Sequence, residues 1–236
     1  MQVLSFCSQK GGSGKTTLSG HVAVQAERAG AGPVALVDTD PQGSLSDWWN
    51  ERHGETPAFV QTTVSRLATD FQELRRIGVK LMVIDTPPAI TGTIQHVITV
   101  SDLVVIPTRP SPHDLRAAGA TVDLVQRANK PMVFVLNAAT PNARITAEAA
   151  MALSQHGTLA PVTVHQRTDF ASSMIDGRTV MEIDPDGRSA AEIVAIWDYL
   201  SDRLERAVRQ AQLQRRSGIS SAPRTGGFGR RIVASD

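Results

Sequence analysis

Residues 8–17 read SQKGGSGKTT, and their types point to one chemistry, the capture of an anion that carries several phosphates. Gly11, Gly12 and Gly14 have no Cβ, so successive backbone N–H groups, that of Ser13 among them, can turn toward a single anion. A helix starting near Lys15 adds the positive end of its dipole. Lys15 then faces the β- and γ-phosphates, and the run ends on Thr16, a hydroxyl where Mg²⁺ would sit, and Thr17. The usual phosphate-loop pattern, G-x-x-x-x-G-K-[ST], asks for a glycine five residues before Gly14. Gln9 holds that place, and a second cation, Lys10, stands at the loop entrance.

Two further stretches end apolar runs with carboxylates: VALVDTDPQGS, carrying Asp38 and Asp40, and LMVIDTPP, carrying Asp85. Ligands of open α/β sheets gather at such strand ends. One carboxylate there can hold a Mg²⁺-bound water beside the γ-phosphate, and another, on a loop, can orient an attacking water. Taken singly, Asp40 before Pro41 could simply start a turn and Asp85 could cap the next segment. Together and in this order, the three stretches point to a triphosphate site at which water can attack the terminal phosphate.

Five short apolar runs must position these residues: 3–7, 34–38, 81–85, 103–107 and 132–136, with segments of helical length between them. Continuous apolar runs describe strands buried on both faces, and such strands are joined by crossovers. The fold class expected is α/β, a doubly wound, mostly parallel sheet flanked by helices. Gly30, Gly32 and Pro33 close the first helix, and Pro131 opens the strand at 132–136. A long helix is expected from about Ser189 to Arg216, with Ile193, Ile196, Trp197, Leu200 and Leu204 at helical spacing. The chain is thus expected as one domain over 1–216, followed by a disordered basic tail over 217–236 rich in Gly, Ser and Pro.

A chain of 236 residues, 41% hydrophobic, suffices for one sizeable core. No apolar run approaches the roughly 18 residues of a membrane span, and a cytoplasmic location is expected. Cys7 stands alone, so neither an intrachain disulfide nor a cysteine-ligated cluster is available within one chain. The formal charge of +1 hides an asymmetry: residues 201–236 hold eight arginines against Asp202, Glu205 and Asp236, a balance of +5, which leaves −4 for the rest. A basic end suits salt-sensitive contact with a polyanion.

KGGSGKTT (10–17), DTDPQGS (38–44) and IDTPP (84–88) resemble, in type and order, the three motifs of the ParA/MinD family of deviant Walker A ATPases. The resemblance covers about residues 1–200. It implies that Lys10 crosses the interface of an ATP-bound homodimer to the partner's phosphates, and that Asp40 helps position the hydrolytic water. It also implies that Asp38 supports the nucleotide-sensing loop, that Asp85 holds Mg²⁺ through water, and that Asn137 contacts the base. The DTDPQ form is similar to the partition branch. It implies an ATP-bound dimer that binds DNA nonspecifically on the nucleoid, a ParB-like or cargo-adaptor protein that stimulates hydrolysis, and a cargo such as a plasmid, chromosome region or large protein assembly.

The same resemblance directs DNA contact to the C-terminal region, to Arg167, Arg178 and Arg188 and to Arg203, Arg206 and Arg209 on the last helix. A MinD-like membrane role would need a terminal amphipathic helix with a compact apolar face, and the end of the chain is poor in one; no membrane partner is expected. A P-loop metabolic enzyme is the other alternative and would need a small-molecule substrate pocket beside the loop.

Overall fold

The computed structural model describes residues 1–88 and 92–219. Its strands are β1 (Gln2–Phe6), β2 (Val34–Asp38), β3 (Ala58–Gln61), β4 (Leu81–Asp85), β5 (Leu103–Thr108), β6 (Met132–Leu136) and β7 (Thr158–Leu159). They form one sheet in the order β3-β2-β4-β1-β5-β6-β7, with every pairing parallel. The five apolar runs are the five inner strands, and β2, β4 and β5 are buried at every position. The first strand begins and ends one residue earlier than expected. Cys7 follows it, buried, its N–H donating to the Val105 carbonyl at 2.9 Å. The two edge strands had no clear sequence signal: β3 (AFVQ) is partly exposed, and β7 has two residues.

The helices are α1 (Lys15–Arg28), α2 (Ser44–Asn50), α3 (Val64–Arg76), α4 (Gly92–Val100), α5 (Pro112–Arg127), α6 (Arg144–Ser154), α7 (Thr168–Ser173), α8 (Val180–Ile183) and α9 (Arg188–Ile219), with a 3-10 turn at Met174–Asp176. On one face of the sheet, Leu18, Val22 and Ala26 of α1 pack with Ile193, Ile196, Trp197, Leu200 and Leu204 of α9. The other face is covered by Leu67, Ile94, Val97, Val122 and Leu153 from α3 to α6. Each large apolar side chain buried by α9 contributes about 2 kcal/mol, against at most about 1 kcal/mol for a surface ion pair. The helix is therefore held by its apolar stripe and its arginines are left to the surface. It runs to Ile219, so residues 217–219, expected in the tail, are helical; residues 220–236 lie outside the described residues. Among the described residues no helix is long and apolar enough to cross a membrane.

The chain changes direction at β1, with β4, β2 and β3 to one side and β5, β6 and β7 to the other. At the carboxyl ends, Phe6 stands opposite Asp85 and Asp85 opposite Asp38. That is the crevice where open α/β sheets bind ligands.

Candidate functional site

Between β1 and α1 the loop turns on two glycines in the left-handed region, Gly12 at φ +74° and Gly14 at φ +96°. Gly14 is also required for space, since a Cβ there would lie 2.0 Å from Nδ2 of Asn137. That amide, at the end of β6, donates to the Ser13 carbonyl at 2.8 Å and so pins the loop from below. Lys15 opens α1 and is 6% exposed. Its Nζ folds back onto the Lys10 carbonyl at 3.3 Å. Burial lowers the Lys15 pKa, with Asp85 and Asp40 pulling it the other way. Buried and, among the described residues, bonded to one backbone carbonyl, this ammonium is suited to an anion.

Thr16 donates its hydroxyl to Asp85 Oδ2 at 2.6 Å. Burial pushes the Asp85 carboxyl up to about 7, only partly offset by the Thr16 hydrogen bond, and Asp38 pushes the same way. A buried carboxylate joined to a hydroxyl at the mouth of a phosphate loop is a set of hard oxygens, and it fits Mg²⁺, which takes a few protein oxygens and completes its shell with phosphates and water. Asp38 has a different position. Its Oδ1 accepts from the Asp40 N–H at 2.9 Å and its Oδ2 from the N–H and hydroxyl of Ser46 at 3.1 and 3.0 Å, so it ties the loop after β2 to the first turn of α2. Burial raises its pKa. Asp40 is half-buried on that loop, its Oδ1 accepting from the Gln42 N–H at 3.0 Å.

Lys10 has a different partner from Lys15. Its Nζ pairs with Asp114 Oδ2 at 3.0 Å, with side-chain exposures of 37% and 5%. Asp114 also receives the hydroxyl of Ser111, the N-cap of α5. Its Oδ1 is buried without a partner. Asp114 is a site residue that the motif reading missed. Its local signal, S-P-H-D at a helix start, reads as a cap alone, and its partner lies 104 residues away.

A cleft of about 580 Å³ opens beside the loop, lined by Gly12, Gly14, Lys15, Thr16, Trp48 and Met174 among others. That size suits a nucleotide-scale ligand. Thr17, Asp47 of α2 and Glu51 just past its end are also on its wall.

The six arginines do not form one patch. Arg167 makes a two-pronged pair with Glu192 at 2.6 and 2.8 Å, Arg178 pairs with Asp176, and Arg188 is exposed at the start of α9. Farther along α9, Arg203 donates to the Thr158 hydroxyl at 3.3 Å, Arg206 pairs with Asp202 at 2.8 Å and Arg209 reaches Glu205 at 3.9 Å. Arg203 and Arg206 line a groove with Ser101 to Leu103 and Asn129 to Pro131, at the amino ends of β5 and β6. A helical rise of 1.5 Å per residue puts Arg209 roughly 31 Å from Arg188. The two groups therefore stand at opposite ends of the sheet.

Fold and site together define a phosphate-loop nucleotide-binding protein of the doubly wound α/β class. The chain belongs to the family of the CobQ/CobB/MinD/ParA nucleotide binding domain, which matches residues 4–180. It is 29% identical over 198 residues, 80% of this chain and 91% of the relative, to the maintenance of carboxysome distribution protein A of Halothiobacillus neapolitanus. Two solved structures share the fold. Apo McdA of Cyanothece has a TM-score of 0.70 at 15% identity, covering 88% of this chain and 99% of that one. The septum site-determining protein MinD of Pyrococcus horikoshii OT3, complexed with Mg-ADP, has a TM-score of 0.70 at 14% identity, covering 84% and 95%.

Proposed function

We propose that this chain is an ATP-driven positioning switch. ATP binds at the phosphate loop, two chains close on their nucleotides, the dimer holds DNA nonspecifically on the nucleoid, and a partner protein stimulates hydrolysis to ADP and phosphate and so causes release. The observation that carries the reading is Lys10. The loop already contains its phosphate cation, Lys15, and the second lysine is only half-buried and is held by a carboxylate from another element. A cation so placed is available to a neighbouring chain, where it would offset repulsion between facing phosphates.

Within one chain, the amides of Gly11 to Gly14 and the Lys15 ammonium bind the phosphates, and Thr16 and Asp85 would hold Mg²⁺. The ion, when bound, offsets negative charge on the phosphoryl group. Asp38 keeps the loop in place so that Asp40 can orient the attacking water. Asn137 holds the loop at the side where the base would lie. Similarity to a protein named for carboxysome distribution favours a large assembly as cargo over a plasmid. The test is retention of the protein on nonspecific DNA with ATP, ADP or no nucleotide: salt-sensitive retention confined to ATP is expected, and indifference to nucleotide would favour the small-molecule enzyme.

A further inference from the structure

Trp48 and Arg52 carry a second connection that the site chemistry does not use. Arg52, just past α2, is 5% exposed in its side chain. Its guanidinium donates to both Glu182 carboxylate oxygens at 2.9 and 2.6 Å, to the Gly177 carbonyl at 2.8 Å and to the Thr56 carbonyl at 3.1 Å. It also lies over the Trp48 ring, 5.6 Å from the centroid. Trp48, within α2, donates Nε1 to the Arg178 carbonyl at 3.2 Å. Gly177 (φ +74°) fits so closely that a Cβ would meet the Arg52 backbone at 2.3 Å. Glu182 completes the joint by accepting from the N–H and hydroxyl of Thr179, the capping box of α8.

The other end of α2 belongs to the nucleotide loop, because Asp38 grips Ser46 through two hydrogen bonds. One short helix thus has its first turn fastened to the loop bearing Asp38 and Asp40, and its last turn to the segment bearing Met174, Gly177 and Arg178. An apolar contact could have buried the same surface without directional bonds. A fork with four acceptors, nearly closed to solvent, fixes one relative geometry and strongly disfavours slippage. Coupling between sites requires an element that both ends bias, and α2 is such an element.

We propose that Arg52 is a positioning residue that makes residues 174–183 report the state of the nucleotide loop. When nucleotide rearranges the hydrogen bonds around Asp38 and Asp40, α2 moves as a unit and carries Gly177, Arg178 and the start of α8 with it. Where this concerns DNA it rests on the function proposed above, since Arg178 is one of the arginines to which the family resemblance directs DNA contact.

The experiment is amide hydrogen exchange on the full chain with no nucleotide, Mg-ADP and the non-hydrolysable Mg-AMPPNP. In the unmodified protein, segments 39–46 and 174–183 should change protection together when AMPPNP is added. In Arg52→Gln the first should respond as before and the response of the second should fall at least about tenfold, within the usual range of coupling between sites. Arg52→Lys, which keeps the charge and loses the fork, should restore only part of it. Glu182→Gln, a gentler change, carries the same test if Arg52→Gln does not fold. A merely structural role predicts lower melting temperature with the two segments still responding together, and that result overturns the proposal, as does a 174–183 segment that ignores AMPPNP in the unmodified protein. In parallel, the ratio of DNA affinity with AMPPNP to that with ADP should fall about tenfold in Arg52→Gln, with nucleotide affinity within about twofold. An unmodified protein that retains no DNA sinks the DNA function and leaves the coupling to be decided by exchange alone.

Discussion

The phosphate loop and the outer half of α9 both concentrate positive charge in the sequence, and the structure treats that charge in opposite ways. At the loop, Lys15 is buried and bonded, among the described residues, to one backbone carbonyl, and Lys10 is held by a carboxylate more than a hundred residues away. Along α9, Arg206 and Arg209 are exposed and meet carboxylates one helical turn back. Position in the first region is imposed by the sheet and specifies chemistry. In the second it follows from helix periodicity, costs little to change, and specifies at most a sign of charge.

The contrast is tested most strongly at Lys15. Lys15→Ala should weaken ATP binding by at least about 100-fold, because loop amides alone do not replace a desolvated cation facing the phosphates. Equilibrium binding of a fluorescent ATP analogue measures this, and affinity within a fewfold of the unmodified chain would mean that Lys15 does not face the phosphates. Lys10→Ala should leave that affinity nearly intact and weaken ATP-dependent dimerisation by on the order of 30-fold, the usual cost of losing one partner of a close charge pair at an interface. The structure adds a control. Removing Lys10 also strands the buried Asp114 carboxylate, which costs the monomer stability. Lys10→Ala combined with Asp114→Asn should therefore recover melting temperature without recovering dimerisation. Recovery of both would reduce Lys10 to a stabilising ion pair.

A third test sets a fixed group behind the loop against the freely hydrated α9 surface. His21, on α1, is fully buried. Its Nδ1 lies 2.8 Å from the Thr17 carbonyl and its Nε2 faces the Val180 N–H at 3.3 Å and the Ser173 hydroxyl at 3.4 Å. Those partners suit a neutral ring with its proton on Nδ1. Burial lowers its pKa to about 4 from an ordinary value of 6.5. A depressed histidine stabilises the fold fully above pH 6.5, and that stability is lost as the pH falls toward 4. The loss by pH 5 should be about 2 kcal/mol, read as unfolding free energy at pH 7.5 and 5. His21→Gln should flatten that pH dependence; an unchanged slope would assign the acid sensitivity to other groups.

How much was legible in advance follows the same division. The inner strands and the loop could be read because burial on both faces and glycine-dependent backbone leave local marks: β2, β4 and β6 have the expected limits, and Gly14 is where a side chain cannot fit. Asp38, Asp40 and Asp85 could be placed because strand ends converge in a parallel sheet. Asp114 and the Arg52–Glu182 pair could not, since each joins residues more than a hundred positions apart and the local pattern of Asp114 and of Glu182 reads only as a helix cap. The edge strand β3, with exposed Ala58 and Gln61, lacks the apolar run that betrays an inner strand. The arginines were visible as charge, but their division between two ends of the sheet depends on the path and length of α9.

The smallest effect is expected on α9, where it decides which arginine group touches DNA. Replacing Arg203, Arg206 and Arg209 together by Glu removes three cations, Arg206 and Arg209 exposed and Arg203 half-buried, and places carboxylates beside Asp202 and Glu205. Each original pair is worth at most about 1 kcal/mol, and the stripe of Ile193, Ile196, Trp197, Leu200 and Leu204 is untouched, so the helix should remain folded and ATP binding should not change. If this end carries DNA, ATP-dependent affinity should fall on the order of tenfold, and the slope of log affinity against log salt should drop by about 3, one counterion for each lost phosphate contact. The amino-end groove would then be the DNA surface, and nucleotide would reach it through dimerisation, because α2 is fastened to the opposite end of the molecule. An unchanged affinity and salt slope would move the contact to Arg167, Arg178 and Arg188, at the end of α9 that adjoins the joint with α2.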